Sequence, residues 1–492
     1  MRSYYAHLET ATGAAKKTAL AKPVFRSSAI FPALNQIGVS SRILFMGYWI
    51  LKRNIKQVAA VISLRGEQGD LLHRSTMQIE EAKTYRIELA DQLAGMGLPQ
   101  DTPFVGTLEV EFFSTNNFVF PYPAVAINYY GPHFSSVVHT AQRVYNDFED
   151  MRNNSQTHVP ESGFNIYADD EREPFFGLIN GPEAVPDSKI DMQFFNTDKE
   201  TLSFELNSGP LKPYQLQMIY PARLVDLKKF LKGKVGAVKA RFNVNWIFPR
   251  LVAGNMQHSP PAITITHTYY DCSNAQSKTD YWLPARQEWH AAALMTPACI
   301  QDKHFTNLYF YPIYSPSTFV IDVEIYNAAG DCLGRKSEAL RIESPKLELK
   351  LINIKSLCEE LKITSLQKLA VRVIARAIGE SNLPARVKLG LDIGQGLQQM
   401  PCNICTNLQP FNPAFDTKPS TFRWSPILTD HPHASLWIMN SSPAVHYTKH
   451  AEIQLSFFRE KDDSTLTRAI TLPPHGFIVI QPDADPELKA FF

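Results

Sequence analysis

Short alternating runs of apolar and polar residues dominate the chain, each closed by turn-forming residues. "KQVAAVISLRGEQGD" (56–70) and "STFVIDVEIYNAAGD" (317–331) are two such runs. Each reads as a half-buried strand entering a tight turn, in which Gly supplies positive φ and Asp bonds its own backbone. The residues that follow share Gly-Asp-x-Leu-x-Arg, from Gly69 and from Gly330, and 330 − 69 = 261. A looser copy, "KHAEIQLSFFREKDDSTLTRA" (449–469), places Asp463 at 463 − 331 = 132 residues beyond Asp331. Half of 261 predicts one more copy near residue 200, where "SKIDMQFFNTDKETLSFEL" (188–206) has strand, polar turn and strand.

The period of about 130 residues extends beyond the turn. Aromatic-rich strands open each unit at 41, 174, 305 and 434, spaced by 133, 131 and 129. Downstream, each unit has a strand leading into a short amphipathic segment, and the first three then continue with two more strands. Seven or so short strands per unit, with turn residues between them, predict an all-β chain of tandem antiparallel β-sandwiches. The units resemble immunoglobulin- or fibronectin-type sandwiches in architecture alone, which implies no function.

This reading divides the chain into an N-terminal arm (1–40), a first sandwich (41–135), a helical linker (136–173), a second sandwich (174–272), a linker (273–303), a third sandwich (304–396), a linker (397–432) and a fourth unit (433–492). The fourth stops before its last strand pair. Such a sandwich leaves strand edges and an apolar face to be covered, by the N-terminal arm, a linker, its own loops or another subunit.

Composition adds exclusions. A chain of 492 residues exceeds one core, and 34 prolines favour short strands over long helices. The charge of +1, from 49 basic and 48 acidic residues, creates no field to draw nucleic acid or an anionic membrane. The apolar run "ILFMGYWIL" (43–51) is too short to span a bilayer. The N-terminus lacks the apolar core of a signal peptide, so the six cysteines are expected as reduced thiols in a cytoplasmic protein.

Catalytic signatures of the Walker A, H-E-x-x-H and G-x-S-x-G kinds are absent, and no cofactor is expected. "GLDIGQG" (390–396) has the wrong spacing for a dinucleotide fingerprint, and "PCNIC" (401–405) is a lone CxxC without the further ligands that zinc needs. His431, His433, His446 and His450 show no metal spacing, and "ADDERE" (168–173) lacks the spacing of a calcium loop.

Two places carry candidate chemistry. Apolar residues at 134, 137, 138, 141, 144, 145, 148 and 151 predict a helix over 134–151. Its other face would align His139, Arg143 and Asp147, with His133 just before it, as a ligand or catalytic site. The bland alternative is a solvated face with ion pairs worth under about 1 kcal/mol each. Tyr48, Trp49, Tyr309, Tyr311 and Trp437 recur where the units open, and exposed they would stack on sugar rings, whereas buried they are core. The favoured reading is a non-catalytic scaffold or interaction protein, with a protein partner or a second copy of the chain. A carbohydrate-binding protein and a saccharide-acting enzyme are the alternatives.

Overall fold

The computed structural model describes residues 24–120, 122–139, 142–145, 156–271, 282–283, 292–312, 317–343, 346–364, 368–379, 383–384, 387–396, 399–410 and 422–492. The alternation that marks the strands in the sequence sets which side chains enter a core. In Val58–Gly66, for example, Val58, Ala60, Ile62 and Leu64 point inward and are buried.

The first unit contains β1 (Phe25–Asn35), β2 (Ser40–Met46), β3 (Val58–Gly66), β4 (Leu71–Ile79), β5 (Thr84–Glu88), β6 (Phe104–Ser114), β7 (Val125–Gly131) and β8 (Phe134–His139). They form two antiparallel sheets of order β1-β6-β3-β4 and β5-β2-β7-β8. The second unit has β9 (Gln156–Ile166), β10 (Arg172–Ile179), β11 (Val185–Asn196), β12 (Thr201–Leu211), β13 (Leu216–Ile219), β14 (Gly236–Asn245), β15 (Val252–Gln257), β16 (Ala262–His267) and β17 (Tyr269–Asp271), in the orders β12-β11-β14-β9-β17 and β13-β10-β15-β16.

A short β18 (Trp282–Leu283) precedes the third unit. That unit has β19 (Ala292–Ala298), β20 (His304–Phe310), β21 (Phe319–Tyr326), β22 (Cys332–Ile342), β23 (Lys350–Asn353), β24 (Leu369–Ala377), β25 (Leu383–Pro384), β26 (Lys388–Gln395), β27 (Cys402–Asn407) and β28 (Gln409–Pro410). Its sheets run β22-β21-β24-β19-β28 and β23-β20-β26-β27, while β18 pairs with β25. The same strand order thus recurs in three units. The fourth has β29 (Leu436–Met439), β30 (Ala451–Phe458), β31 (Thr465–Leu472) and β32 (Phe477–Ile480), as two separate pairs, β29-β32 and β30-β31.

Among the described residues five short α-helices punctuate this plan: α1 (Tyr48–Arg53), α2 (Leu89–Gly95), α3 (Leu227–Leu231), α4 (Ile354–Glu360) and α5 (Pro486–Phe491). The last four follow β5, β13, β23 and β32 in turn. Asp226, Asn353 and Asp485 cap α3, α4 and α5 by accepting backbone N–H bonds. The helices plug the sandwiches with Leu89 and Leu93, Leu227 and Leu231, Ile354 and Leu357, and Leu488.

The units pack face to face. The outer face of the sheet holding β11 and β14 meets that holding β20 and β23, joining Phe195 and Ala237 to Tyr309, Tyr311 and Leu349. Met295, Tyr326 and Ala370 of the third unit meet Trp437, Met439 and Phe477 of the fourth in the same way. Between the first and second units, Pro32 of β1 lies against Gly177 of β10. The circuit then returns to its start. Thr84 N donates to Arg459 O at 3.2 Å, and Arg42 and Arg86 reach Asp430 at 2.6 Å and Glu460 at 3.3 Å. Strand β16 sits inside this circuit, between β8, where Ile265 N donates to Ser136 Oγ at 2.8 Å, and β27, where Cys405 N donates to Thr266 Oγ1 at 2.9 Å.

Three expectations change. The helix over 134–151 is not formed at its start, because 134–139 is β8, paired with β7 through Gly131↔Phe134 to Ala126↔His139. Residues 142–145 are also extended, with Tyr145 N donating to Trp246 O and Phe248 N to Arg143 O. Residues 140–141 and 146–151 of that expected helix lie outside the described residues. Each of the first three units also starts one strand earlier than the aromatic runs mark. The N-terminal arm contains β1, whose Pro32 is tolerated because β1 is an edge strand. The linkers 136–173, 273–303 and 397–432 likewise contain β8 and β9, β19, and β27.

Candidate functional site

Chemistry-bearing side chains concentrate at the joints between units. Between the second and third, Asp392 of β26 is fully buried. Its carboxylate accepts from Tyr167 OH at 2.5 Å, Asn165 Nδ2 at 3.0 Å and Asn403 Nδ2 at 2.5 Å. Tyr311 OH donates to Asn165 Oδ1 at 3.1 Å, extending the network. Burial pushes the Asp392 carboxyl up to about 6, and the hydrogen bonds from Tyr167, Asn403 and Asn165 oppose that rise. Asn165 and Tyr167 belong to the second unit and Asn403 to the third, so the arrangement locks two sandwiches together.

The Gly-Asp turns make two further joints. Gly69, at φ +89, lies so close to the second unit that a Cβ would fall 2.1 Å from Pro213 O. Gly330, at φ +85, meets the fourth unit equally closely, at 2.3 Å from Pro474 O. Leu216 N donates to Glu67 O at 2.9 Å in one joint, and Phe477 N to Ala328 O at 3.1 Å in the other. Every member of this second contact lies 261 residues after its counterpart. The turn is a docking device that only glycine can supply.

The side chains beneath the two turns differ. In the first joint the Arg65 guanidinium stacks 4.0 Å from the Tyr214 ring centre, and Glu109 lies 3.3 Å from Arg26 and 3.6 Å from Arg65. Burial, with Glu111 adding repulsion, pushes Glu109 up to about 7 despite both arginines. In the second joint Tyr326 packs on His475, with ring centres 4.8 Å apart, and buried Arg372 holds Glu324 at 2.9 Å. Burial and the Arg372 charge push the His475 imidazole down to about 4.

Among the described residues the fourth unit is open. In the complete units β3, β11 and β21 each have strands on both sides, as do β2, β10 and β20. In the fourth, β30 pairs only with β31 and β29 only with β32 among the described residues. Ile453 and Leu455, which point inward from β30, stay half-exposed, whereas Ile321 and Val323 of β21 are fully buried.

The candidates from the sequence do not converge on one site. His133 is exposed ahead of β8. His139 stands at the end of β8 with its ring centre 5.1 Å from that of His267. Arg143 is buried, its guanidinium 5.3 Å from the Tyr145 ring centre and 5.7 Å from that of Phe248. Asp147 lies outside the described residues. Among the aromatics, Trp49, Tyr309 and Tyr311 are at most 2 % exposed, so no ring face is free for a sugar. Tyr48 stacks on Trp49, and Trp437 on Phe477.

The remaining motifs resolve as structure. Cys402 is exposed and Cys405 buried, on opposite faces of β27 as three-residue spacing on a strand requires. Acidic 168–173 meets the basic run 223–234, with Glu173 at 2.6 Å from Arg223 and Asp170 paired with Lys228. Among the described residues no His, Cys, Asp or Glu group is arranged to hold a metal, and no helix is long and apolar enough to cross a membrane. The inter-unit networks escape sequence reading, because they join strands far apart in the chain, such as Asn165 to Asp392 across 227 residues.

No protein-family model and no curated protein matches the chain. Among solved structures it is similar to a β-glucuronidase from glycoside hydrolase family 2, at 10% identity and TM-score 0.11, over 50% of this chain and 24% of that one. The CupB6 tip adhesin from Pseudomonas aeruginosa is similar at 6% identity and TM-score 0.13, over 55% of this chain and 95% of that one. The chain therefore spans about a quarter of the glucuronidase's length.

Proposed function

We propose that the chain is a non-catalytic interaction protein, a body of β-sandwiches that joins other protein through its fourth unit. The edges of β29 and β30 that have no partner strand among the described residues carry this reading, because unpaired strand edges beside half-covered apolar residues are templates for another chain. The buried groups with displaced pKa values, Asp392, Glu109 and His475, support it as well. They belong to joints, where they hold the body in one arrangement.

Light scattering of the full chain at rising concentration tests the reading. Weak edge-to-edge association is expected, and Ile453→Lys, which aims a charge inward from β30, abolishes it. Gln454→Lys, at an exposed position, gives the same result without touching the core. A mass of one chain at every concentration, identical for both variants, contradicts the reading.

A carbohydrate-binding reading draws on a different observation. Phe120 and Tyr122 are exposed neighbours with ring centres 5.5 Å apart, and the Arg53 guanidinium lies 6.0 Å from the Phe120 ring centre. A glycan array tests it: binding lost in Phe120→Ala/Tyr122→Ala supports it, and a silent array removes it.

A further inference from the structure

The complete units specify what belongs on the open edges of the fourth. The strands that flank β3 and β2 are β6 and β7, those that flank β11 and β10 are β14 and β15, and those that flank β21 and β20 are β24 and β26. In the first two units they follow one another along the chain and cross from one sheet to the other, and in the third only the two-residue β25, paired with β18, comes between them. A single strand pair therefore fills both edges at once. Pairing of β30 with β30 of a second copy would fill one edge and leave β29 and the apolar interior uncovered.

Charge narrows the occupant further. In the second unit Asp191, on the outer face of β11, faces Arg241 of β14 at 4.0 Å. In the third, Asp322 on the outer face of β21 is held by Arg376 of β24 at 3.1 Å. Strand β30 carries Glu452 on its exposed outer face, with no ion pair among the described residues. The 132-residue offset between Asp331 and Asp463 sets Glu452 at the place of Val320, whose cross-strand neighbour is Arg376. A basic residue on the incoming strand would stand directly opposite Glu452.

We propose that the fourth unit accepts, on the edges of β29 and β30 that have no partner strand among the described residues, two consecutive antiparallel strands of another polypeptide, with apolar residues facing Ile453 and Leu455 and a lysine or arginine opposite Glu452. This rests on the interaction reading above and names its partner chemistry. Backbone hydrogen bonds along both edges supply the attachment, and the inward side chains complete the core that Phe457, Ile480 and Leu488 begin.

The probe is a labelled peptide copying residues 369–395, which spans β24 and β26, titrated into the full chain and read by fluorescence anisotropy. Saturable one-to-one binding is expected, with amide protection confined to 436–439 and 451–458. Arg376→Glu in the peptide weakens binding about three- to tenfold, the size of a reversed cross-strand charge pair. A scrambled peptide that binds as well, or protection elsewhere, overturns the proposal. A second form removes dependence on free-peptide folding: the same segment is fused after Phe492 through eight residues, matching 361–368 between α4 and β24. The fused chain is expected to unfold at higher denaturant and to lose binding of the free peptide; an unchanged midpoint overturns the proposal. If these arms fail while Ile453→Lys still suppresses self-association, the strand-pair inference falls and the interaction reading stands. If both fail, both fall.

Discussion

The joint between the first and second units and the joint between the third and fourth are one backbone solution with two chemistries. Gly69 on Pro213 and Gly330 on Pro474 share their conformation, their contact and a 261-residue spacing. Tyr214 and His475 both sit at positive φ, 58° and 59°. Beneath these turns the charges are exchanged. Glu109 of β6 is a buried carboxylate facing arginines, whereas Arg372, at the matching position of β24, is a buried cation facing Glu324. The difference teaches that backbone fit positions the units, while either sign of buried charge serves, provided the partner has the opposite one.

The largest way to break this comparison is Arg372→Leu. It leaves buried Glu324 with only the Tyr326 hydroxyl at 2.9 Å and the more distant Arg335 at 3.8 Å, and it also releases the carbonyls of Ser442 and Ala444, to which Arg372 donates. A loss of about 3 kcal/mol or more is expected in denaturant unfolding. Arg65→Leu in the other joint costs less, about 1–2 kcal/mol, because Glu109 keeps Arg26. Equal losses would mean that the joints are chemically alike. Next come Gly69→Val and Gly330→Val, each expected to cost about 2–4 kcal/mol by the same two routes, a strained φ and a backbone clash. If one variant is neutral, the equivalence of the two turns fails.

The smallest effects are in pH, and they have opposite signs. Glu109 binds its proton more tightly folded than unfolded, so its stabilisation is complete below about 4.5 and is lost as pH rises toward about 7. His475 resists protonation when folded, so its contribution is complete above 6.5 and is lost as pH falls toward about 4. Glu109→Gln should therefore gain on the parent as pH rises through the first window. His475→Asn, which tolerates the positive φ, should gain as pH falls through the second. Urea midpoints at several pH values check both. Parallel slopes for the two variants would contradict the opposed assignment.

Much of the fold is legible along the chain. The Gly-Asp turn, the alternation of β3 and β21 and the aromatic openings depend on local sequence, and they marked the period. What the turn docks against was not legible, since Pro213 and Pro474 are 144 and 144 residues beyond Gly69 and Gly330 and show no pattern of their own. The 134–151 segment shows how periodicity misleads: Phe134, Val137 and Val138 fit a helical stripe, but pairing with β7 holds them as an edge strand. Strand β1 is hard to read from the sequence, since it carries Pro32, which its edge position permits. The recurrence of the aromatic openings is legible in the sequence, but what buries them is not, since Tyr309 and Tyr311 are covered by a neighbouring unit.

Hydrogen exchange on the full chain tests most directly that the fourth unit is open where the others are closed. Alternate amides of 451–458 and 436–439 should exchange orders of magnitude faster than those of β21 and β20, which are paired on both sides. Equal protection of β30 and β21 in the isolated chain would mean that the edge is already filled, and would contradict the account.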